Sequence, residues 1–221
     1  DRKYLDSLIK QLSIFNCTIA VVINIDNYKK IDFEKNNRIL ILKRKNEGMN
    51  IGAWNAGYKY FNDFDNYFFF QDECFIKKNS FYDNYLNLLN NKKVGIVGES
   101  INIKWSRPWE EIEKSSLNYN IKINSNIFKR VSFYKYQLDK WNISLGKSGL
   151  HLRSLNLAMT KKNLESINGF NIGKSKEECI AAEIAISKKI LNLNLSVAQA
   201  NYNHFYYIGH REWDDSGVSK K

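Results

Sequence analysis

The sequence predicts an α/β sandwich built around a mostly parallel central sheet, and three observations point there. Thr18–Ile25 (TIAVVINI) is a nearly continuous β-branched run, the composition of a strand buried on both faces. Further apolar runs alternate with amphipathic stretches at the spacing of strand–helix–strand units. Hydrophobic residues make up 43% of the 221 positions, enough to core one domain, or one domain with an extension.

Taken in order, Tyr4, Leu5, Leu8, Ile9 and Leu12 recur at helical spacing and predict an amphipathic helix. Ser13–Asn16 breaks it. The strand Thr18–Ile25 follows and ends at Asp26-Asn27, at the carboxyl end where open α/β sheets place ligands. Arg38–Lys43 (RILILK) reads as a second strand running into a Gly/Asn turn, Asn46–Gly52. Ala53–Phe61 reads as a short helix, and Tyr67–Phe70 as a third strand that stops at Gln71-Asp72-Glu73. Phe81–Leu89 predicts a helix and Val94–Val97 a strand. Ser100–Leu145 is less regular, rich in Trp, Tyr and Lys, and is where a substrate-specific insertion is expected. Leu155–Met159 predicts a strand, and Lys161–Ile167 a short helix stopped at Asn168-Gly169 by a left-handed residue. Glu177–Leu191 carries the strongest helical pattern, and Leu195–Ala200 closes as a strand. The aromatic tail Tyr202–Trp213 holds two of the three histidines.

Composition narrows the function classes. The net charge is +11 and the pI near 9.4, which favours contact with phosphates or anionic surfaces. Lys is spread along the whole chain and Asn, Lys and Ile are abundant throughout, so the charge is discounted as a sign of a nucleic-acid groove. Cys17, Cys74 and Cys179 form no CxxC pair and read as free thiols of a reducing compartment. No apolar run approaches the ~20 residues that a membrane span needs, and the charged start DRKYLDSLIKQL does not read as a secretory signal.

The stretch Asn46–Glu73 gathers the most chemistry: a Gly/Asn turn, a helix and an aromatic strand tipped with carboxylates. Asn46-x-Gly48 with Ala53-Trp54-Asn55-x-Gly57, and then Phe68–Glu73, resemble the NxG…ARNxG segment and the DxD strand of family-2-type inverting glycosyltransferases of GT-A fold. Ser166–Asn171 resembles that family's "GGF" segment, Glu177–Ser187 its acid-bearing helix, and Tyr207–His210 its later strand and histidine. The order of these five stretches, over nearly the whole chain, carries the resemblance. The first acid of DxD is absent: Phe70 or Gln71 stands in its place. The family opens with a strand ahead of its first helix. This chain begins at that helix, so the strand is expected either to be truncated or to come from elsewhere.

What the resemblance implies is a Rossmann-like GT-A α/β/α sandwich in one domain, with residues 1–99 as the nucleotide-sugar half and residues 100–221 as the acceptor half. It assigns Asp26, Asn46, Gly48, Asn55, Gln71 and Asp72 to the donor. It assigns Asp72, Glu73 and His210 to a divalent metal, Mg or Mn, that offsets charge on the leaving diphosphate. It names Glu183, with Glu178 as the alternative, as the general base that deprotonates the acceptor hydroxyl. Each residue has a plainer reading beside this one. Asp26 suits a turn, Gly48 and Gly57 suit a loop–helix junction, and Glu177 and Glu178 suit the positive end of a helix. Asp72 and Glu73 would cap a strand, His210 would be structural, and Trp105, Trp109, Trp141 and Trp213 would be core or sugar platforms. Arg153 and Arg211 are candidate diphosphate contacts.

The expected activity is transfer of a sugar from a nucleotide-sugar donor to a glycan or glycolipid acceptor in surface polysaccharide synthesis. The expected place is the cytoplasm, with peripheral association at the inner face of the membrane. The rivals are a GT-A-like domain that binds sugar nucleotide or glycan without transferring it and, less favoured, a basic nucleic-acid-binding protein.

Overall fold

The computed structural model describes residues 2–220. In chain order the elements are α1 (Arg2–Leu12), β1 (Ile19–Ile25), β2 (Asp32–Asn36), β3 (Ile39–Lys45), α2 (Met49–Tyr60), β4 (Asn66–Phe70), β5 (Cys74–Ile76), α3 (Phe81–Asn90) and β6 (Val94–Gly98). A 3-10 turn, Ile103–Trp105, leads to α4 (Trp109–Glu113), β7 (Asn120–Ile123), β8 (Asn126–Lys129) and α5 (Arg130–Lys140). The chain closes with β9 (Asn156–Thr160), α6 (Lys161–Ser166), α7 (Lys176–Asn192), β10 (Ser196–Gln199) and β11 (Ile208–His210).

The fold is mixed α/β, with small sheets that contain parallel pairs. β1 pairs with β3 in parallel, and β2 folds back on β3 as an antiparallel hairpin. A four-stranded sheet has the order β10-β6-β9-β4. Only β10 and β6 are parallel neighbours there, because β9 runs antiparallel to both β6 and β4. β11 pairs with β5, and β7 with β8, as separate antiparallel ribbons. The expected mostly parallel central sheet is therefore corrected to divided sheets of mixed direction. The physical reason lies in β9. Leu157, Ala158 and Met159 are buried on both faces by helices, so the strand is apolar throughout whichever way its neighbours run.

Alternation along the strands shows the layering. Tyr67, Phe69, Ile96, Leu157 and Met159 pack into one cluster with Ile51 and Trp54 of α2, Leu164 of α6 and Ala182, Ile186 and Ile190 of α7. Val97 and Ala158 point the other way, into a cluster with Leu8 of α1 and Phe81, Tyr85 and Leu89 of α3. Helices thus cover both faces of the four-stranded sheet. A third cluster lies where an irregular insertion was expected. Trp105, Trp109, Val131, Tyr134 and Leu138 pack on Ala181, Ile184 and Ala185 of α7. The 17-residue α7 serves two clusters with two of its faces, and so ties the insertion to the sheet.

Two local features matter for the site. The stretch read as a turn over Asn46–Gly52 is shorter, because α2 begins at Met49. Gly48 precedes it with φ of 77°, and a Cβ there would lie 2.6 Å from Ile172. A Cβ on Gly52 would lie 1.8 Å from the Glu47 carbonyl oxygen, so only glycine lets the helix start so close to the preceding strand. Cys17, Cys74 and Cys179 are free thiols.

The layering yields a stability prediction. Ile96→Ala empties a site with no exposed surface and is expected to cost about 2–5 kcal/mol. Asn36→Ala, on exposed β2, is expected to stay within about 0.5 kcal/mol. Urea unfolding of the two variants measures both.

Candidate functional site

The site is assembled at the carboxyl ends of β1, β3 and β4. Asn46, just past β3, donates from Nδ2 to Asp26 Oδ1 at the end of β1 (3.0 Å). Asn24 Nδ2 donates to the Met49 carbonyl (2.9 Å), and Arg44 donates to Asn24 Oδ1 and to the Glu47 carbonyl. These bonds fix the strand ends against the start of α2.

The centre is the backbone of Ser154, in the loop that leads into β9. Its carbonyl accepts from Asn50 Nδ2 (2.7 Å) and from Gln71 Nε2 (2.8 Å). Its amide donates to Glu183 Oε1 (3.0 Å). Asn50 lies on the first turn of α2, Gln71 one residue beyond β4, and Glu183 in the middle of α7. One peptide segment thus gathers side chains from both halves of the chain. Gln71 Oε1 reaches His210 Nε2 (3.1 Å), while Glu212 N–H donates to His210 Nδ1 (3.2 Å). An accepting Nδ1 places the ring proton on Nε2, so His210 donates to Gln71. Glu73 lies 3.7 Å from the same Nε2.

His151 sits beside Glu183 at 3.7 Å. Its Nδ1–H donates to the Gly149 carbonyl (2.7 Å), which leaves Nε2 to accept from Asn102 Nδ2 (3.3 Å). Burial pulls its pKa below 6.5, outweighing the pull of Glu183 the other way. The contact is therefore a neutral imidazole against a carboxylate.

The sequence-derived candidates divide. Gln71, Glu73 and His210 come together with Glu183 through Ser154, and Asp72 lies exposed next to Gln71. Asp26 and Asn46 meet each other. Asn46, Asn50, Gln71 and Asp72 border one cavity of about 1150 Å³. Asn55 is buried, and its Oδ1 accepts from the Phe170 amide (2.9 Å), so it hooks the loop after α6 onto α2. Glu178 belongs to a helix cap. Ser175 Oγ accepts the Glu178 amide, and the Glu178 carboxylate accepts the Lys174 amide (2.6 Å). Trp105 and Trp109 are buried core.

The two candidate arginines are held by protein. Arg153 donates to Ser100 Oγ and the Gly217 carbonyl and stacks on Trp213, 4.1 Å from the ring centre. Arg211 covers Tyr4. Sequence reasoning gave no role to Ser154, Asn50 or the buried Glu99. Glu99 accepts from the Tyr85 hydroxyl (2.8 Å) and the Tyr207 amide (3.1 Å) and so pins the approach to β11, while burial raises its pKa. The one available signal was polar His151, Arg153 and Ser154 interrupting an apolar approach to a strand.

Among the described residues no group of three His, Cys, Asp or Glu side chains is placed to hold a metal ion. Mg and Mn accept one or two carboxylates and keep several waters; Asp72 and Glu73 are adjacent in the chain, Asp72 exposed and Glu73 half-buried beside His210. His210 does not fit in this arrangement, because its Nδ1 lone pair and its Nε2 proton are both engaged. Comparison with protein-family models, curated proteins and solved structures finds no match for this chain.

The burial of His151 sets a pH dependence. Above pH 6.5 the folded and unfolded imidazoles are both neutral. Below it the unfolded ring takes a proton that the folded ring, with its lowered pKa, does not. Stability is therefore present above 6.5 and is lost as pH falls toward the folded value, and the lowered pKa of His204 adds in the same sense. Imidazole NMR at pH 6.5, where a free ring is half protonated, is expected to show His151 mainly neutral with Nδ1 carrying the proton.

Proposed function

We propose that this chain is a nucleotide-sugar-dependent glycosyltransferase of GT-A type, acting by inversion on a glycan or glycolipid acceptor. The observation that carries the reading is the Ser154 node. It brings Asn50 and Gln71, from the stretch that resembles a donor site, to Glu183, from the helix that resembles the base-bearing one. They converge at the carboxyl ends of strands, where α/β folds bind ligands.

In that reading Glu183 is the general base. The Ser154 amide holds one of its oxygens, which orients the carboxylate and leaves the other oxygen to take the acceptor hydroxyl proton. The freed alkoxide attacks the anomeric carbon from the face opposite the diphosphate, and the bond to the nucleoside diphosphate breaks as the new glycosidic bond forms. Neutral His151 packs beside Glu183 without competing for its charge. Asp26 and Asn46, joined to each other, are the polar pair offered to the nucleoside. Asp72 and Glu73 would hold a divalent cation, which supplies charge compensation to the leaving diphosphate. The basic surface would favour approach to an anionic membrane or acceptor. No helix among the described residues is long and apolar enough to cross a membrane.

One observation favours a second reading, a domain that binds sugar nucleotide or glycan without transferring it. Gln71, a neutral amide, stands at the strand end where the DxD pattern expects an acid, and both ends of its side chain are used, by Ser154 and His210.

Glu183→Gln separates the two. The amide oxygen can still accept from Ser154, so the fold is retained. Transfer from a nucleotide sugar is expected to fall by about 10²–10⁴-fold, with the calorimetric Kd for the nucleoside diphosphate unchanged. Equal turnover in both proteins would remove Glu183 from catalysis. Tight donor binding with no turnover in the wild type would establish the second reading. Asp72→Asn is expected to weaken the Mn-dependent part of donor binding, and unchanged binding would remove Asp72 as a ligand.

A further inference from the structure

Near the end of α7 two neighbouring lysines meet different surroundings. Lys189 Nζ donates to the Gly169 carbonyl (2.9 Å) and to Asn171 Oδ1 (3.0 Å). Lys188 is only 3% exposed, yet among the described residues its Nζ has no hydrogen-bond acceptor and no carboxylate partner. The Trp109 ring centre lies 5.8 Å from it. Burial pulls its pKa down to about 8, and no charged neighbour contributes. At pH 7 the group therefore remains mainly an ammonium.

An ammonium carries three donors, and a buried charge is as a rule paired and hydrogen-bonded. Packing alone does not explain this one. Ile184, one turn earlier on α7, packs with Trp109 in the same apolar cluster, and an apolar side chain would suit position 188 as well.

Beside the ammonium runs the loop Leu145–Gly149. Trp109 fastens it at two points: Nε1 donates to the Leu145 carbonyl (3.1 Å), and the backbone N–H to the Lys147 carbonyl (3.2 Å). Ser148 bridges to Pro108. Gly146, between these fastenings, is exposed and has φ of 55°. A Cβ there would lie 3.3 Å from Lys188 Nζ. The ammonium thus borders the space that a side chain at position 146 would fill, and glycine leaves that space open. Among the described residues the Gly146 and Lys147 amides have no acceptor, and the exposed side chains of Lys147 and Arg107 form no ion pair.

We infer that Lys188 and the Leu145–Gly149 loop form a binding site for an oxyanion, a carboxylate or phosphate group, that enters at Gly146. The anion supplies the partner that the core withholds from the ammonium. The unengaged loop amides, Lys147 and Arg107 suit the same charge. A short path joins this site to Glu183. The Gly149 carbonyl accepts from His151, which lies beside Glu183. Leu152 N–H donates to Ser187 Oγ, on the residue before Lys188. A bound anion therefore steadies the segment that carries His151 and Ser154. The site stands on burial and missing partners, and is independent of the glycosyltransferase reading.

The test is thermal unfolding at constant ionic strength, with chloride replaced in turn by inorganic phosphate, glucuronate and glucose 6-phosphate. At about 100-fold excess over Kd, at least one of these is expected to raise the wild-type Tm by roughly 5 °C. Lys188→Met is expected to lose that rise, with Kd weaker by about tenfold or more, the scale of a hydrogen bond to a charged group. Lys189→Met, which removes a partnered lysine, is expected to keep it. A rise with phosphate identifies a free ion as sufficient, and a rise with the acidic sugars alone identifies a group carried on a glycan. Amide NMR of the wild type gives a readout that needs no variant: the Gly146 and Lys147 signals are expected to move on saturation. No rise with any of the three anions would overturn the site. So would an equal rise in Lys188→Met, or a titration that leaves both amide signals in place.

Discussion

The backbone of one residue, Ser154, joins side chains that come from distant parts of this chain at the candidate site. The backbone of a residue offers one N–H donor and one carbonyl acceptor with two lone pairs, and all of that capacity is used here. The amide goes to Glu183 and the carbonyl to Asn50 and Gln71. These partners stand on α7, on α2 and at the end of β4, elements that otherwise meet through apolar packing and the bond from Trp54 Nε1 to the Phe70 carbonyl (3.0 Å). Apolar packing sets distance but leaves small slides cheap. Hydrogen bonds to a partly buried backbone set direction as well, because a misaligned donor is costly. Gln71 then carries the alignment outward to His210 on β11. Glu99 adds a second pin, since its buried carboxylate holds the segment that leads into β11.

The core explains why Ser154 can serve this role. β9 follows directly and is buried on both faces between β4 and β6, so its entry point cannot drift. α7 presses Ala182 and Ile186 onto the sheet while Ala181, Ile184 and Ala185 face the insertion. Glu183 is thereby carried on a rigid helix with its side chain only 20% exposed. The carboxylate stands on fixed backbone, which limits how far it can reorient.

Much of the fold was legible because burial on two faces leaves a plain mark. Thr18–Ile25, Tyr67–Phe70, Val94–Val97 and Leu155–Met159 all contain strands. Direction was not legible, because β9 is as apolar as a parallel strand would be. α5 was missed because aromatic and charged residues mix along it, and its buried set, Val131, Phe133, Tyr134, Gln137 and Leu138, includes an amide. β2 was missed because all five of its residues are exposed. At the site, side-chain types drew attention to Asp72, Glu73, Glu183 and His210. The group that organises them is a backbone, and backbone groups leave no trace in composition. Asn55 and Glu178 show the converse. Both are polar residues in suggestive places, and their bonds go to the Phe170 and Lys174 amides.

A double-mutant cycle tests most directly whether Ser154 joins Gln71 and Glu183 into one unit. Gln71→Ala and Glu183→Ala remove partners on opposite sides of the same peptide segment, 112 residues apart in sequence (183 − 71). Urea unfolding of the wild type, both single variants and the double variant gives their coupling. The account predicts a coupling of roughly 0.5–3 kcal/mol, as for groups in one hydrogen-bond network. Additivity within about 0.3 kcal/mol would contradict it, and would mean that Gln71 and Glu183 are neighbours without being mechanically joined.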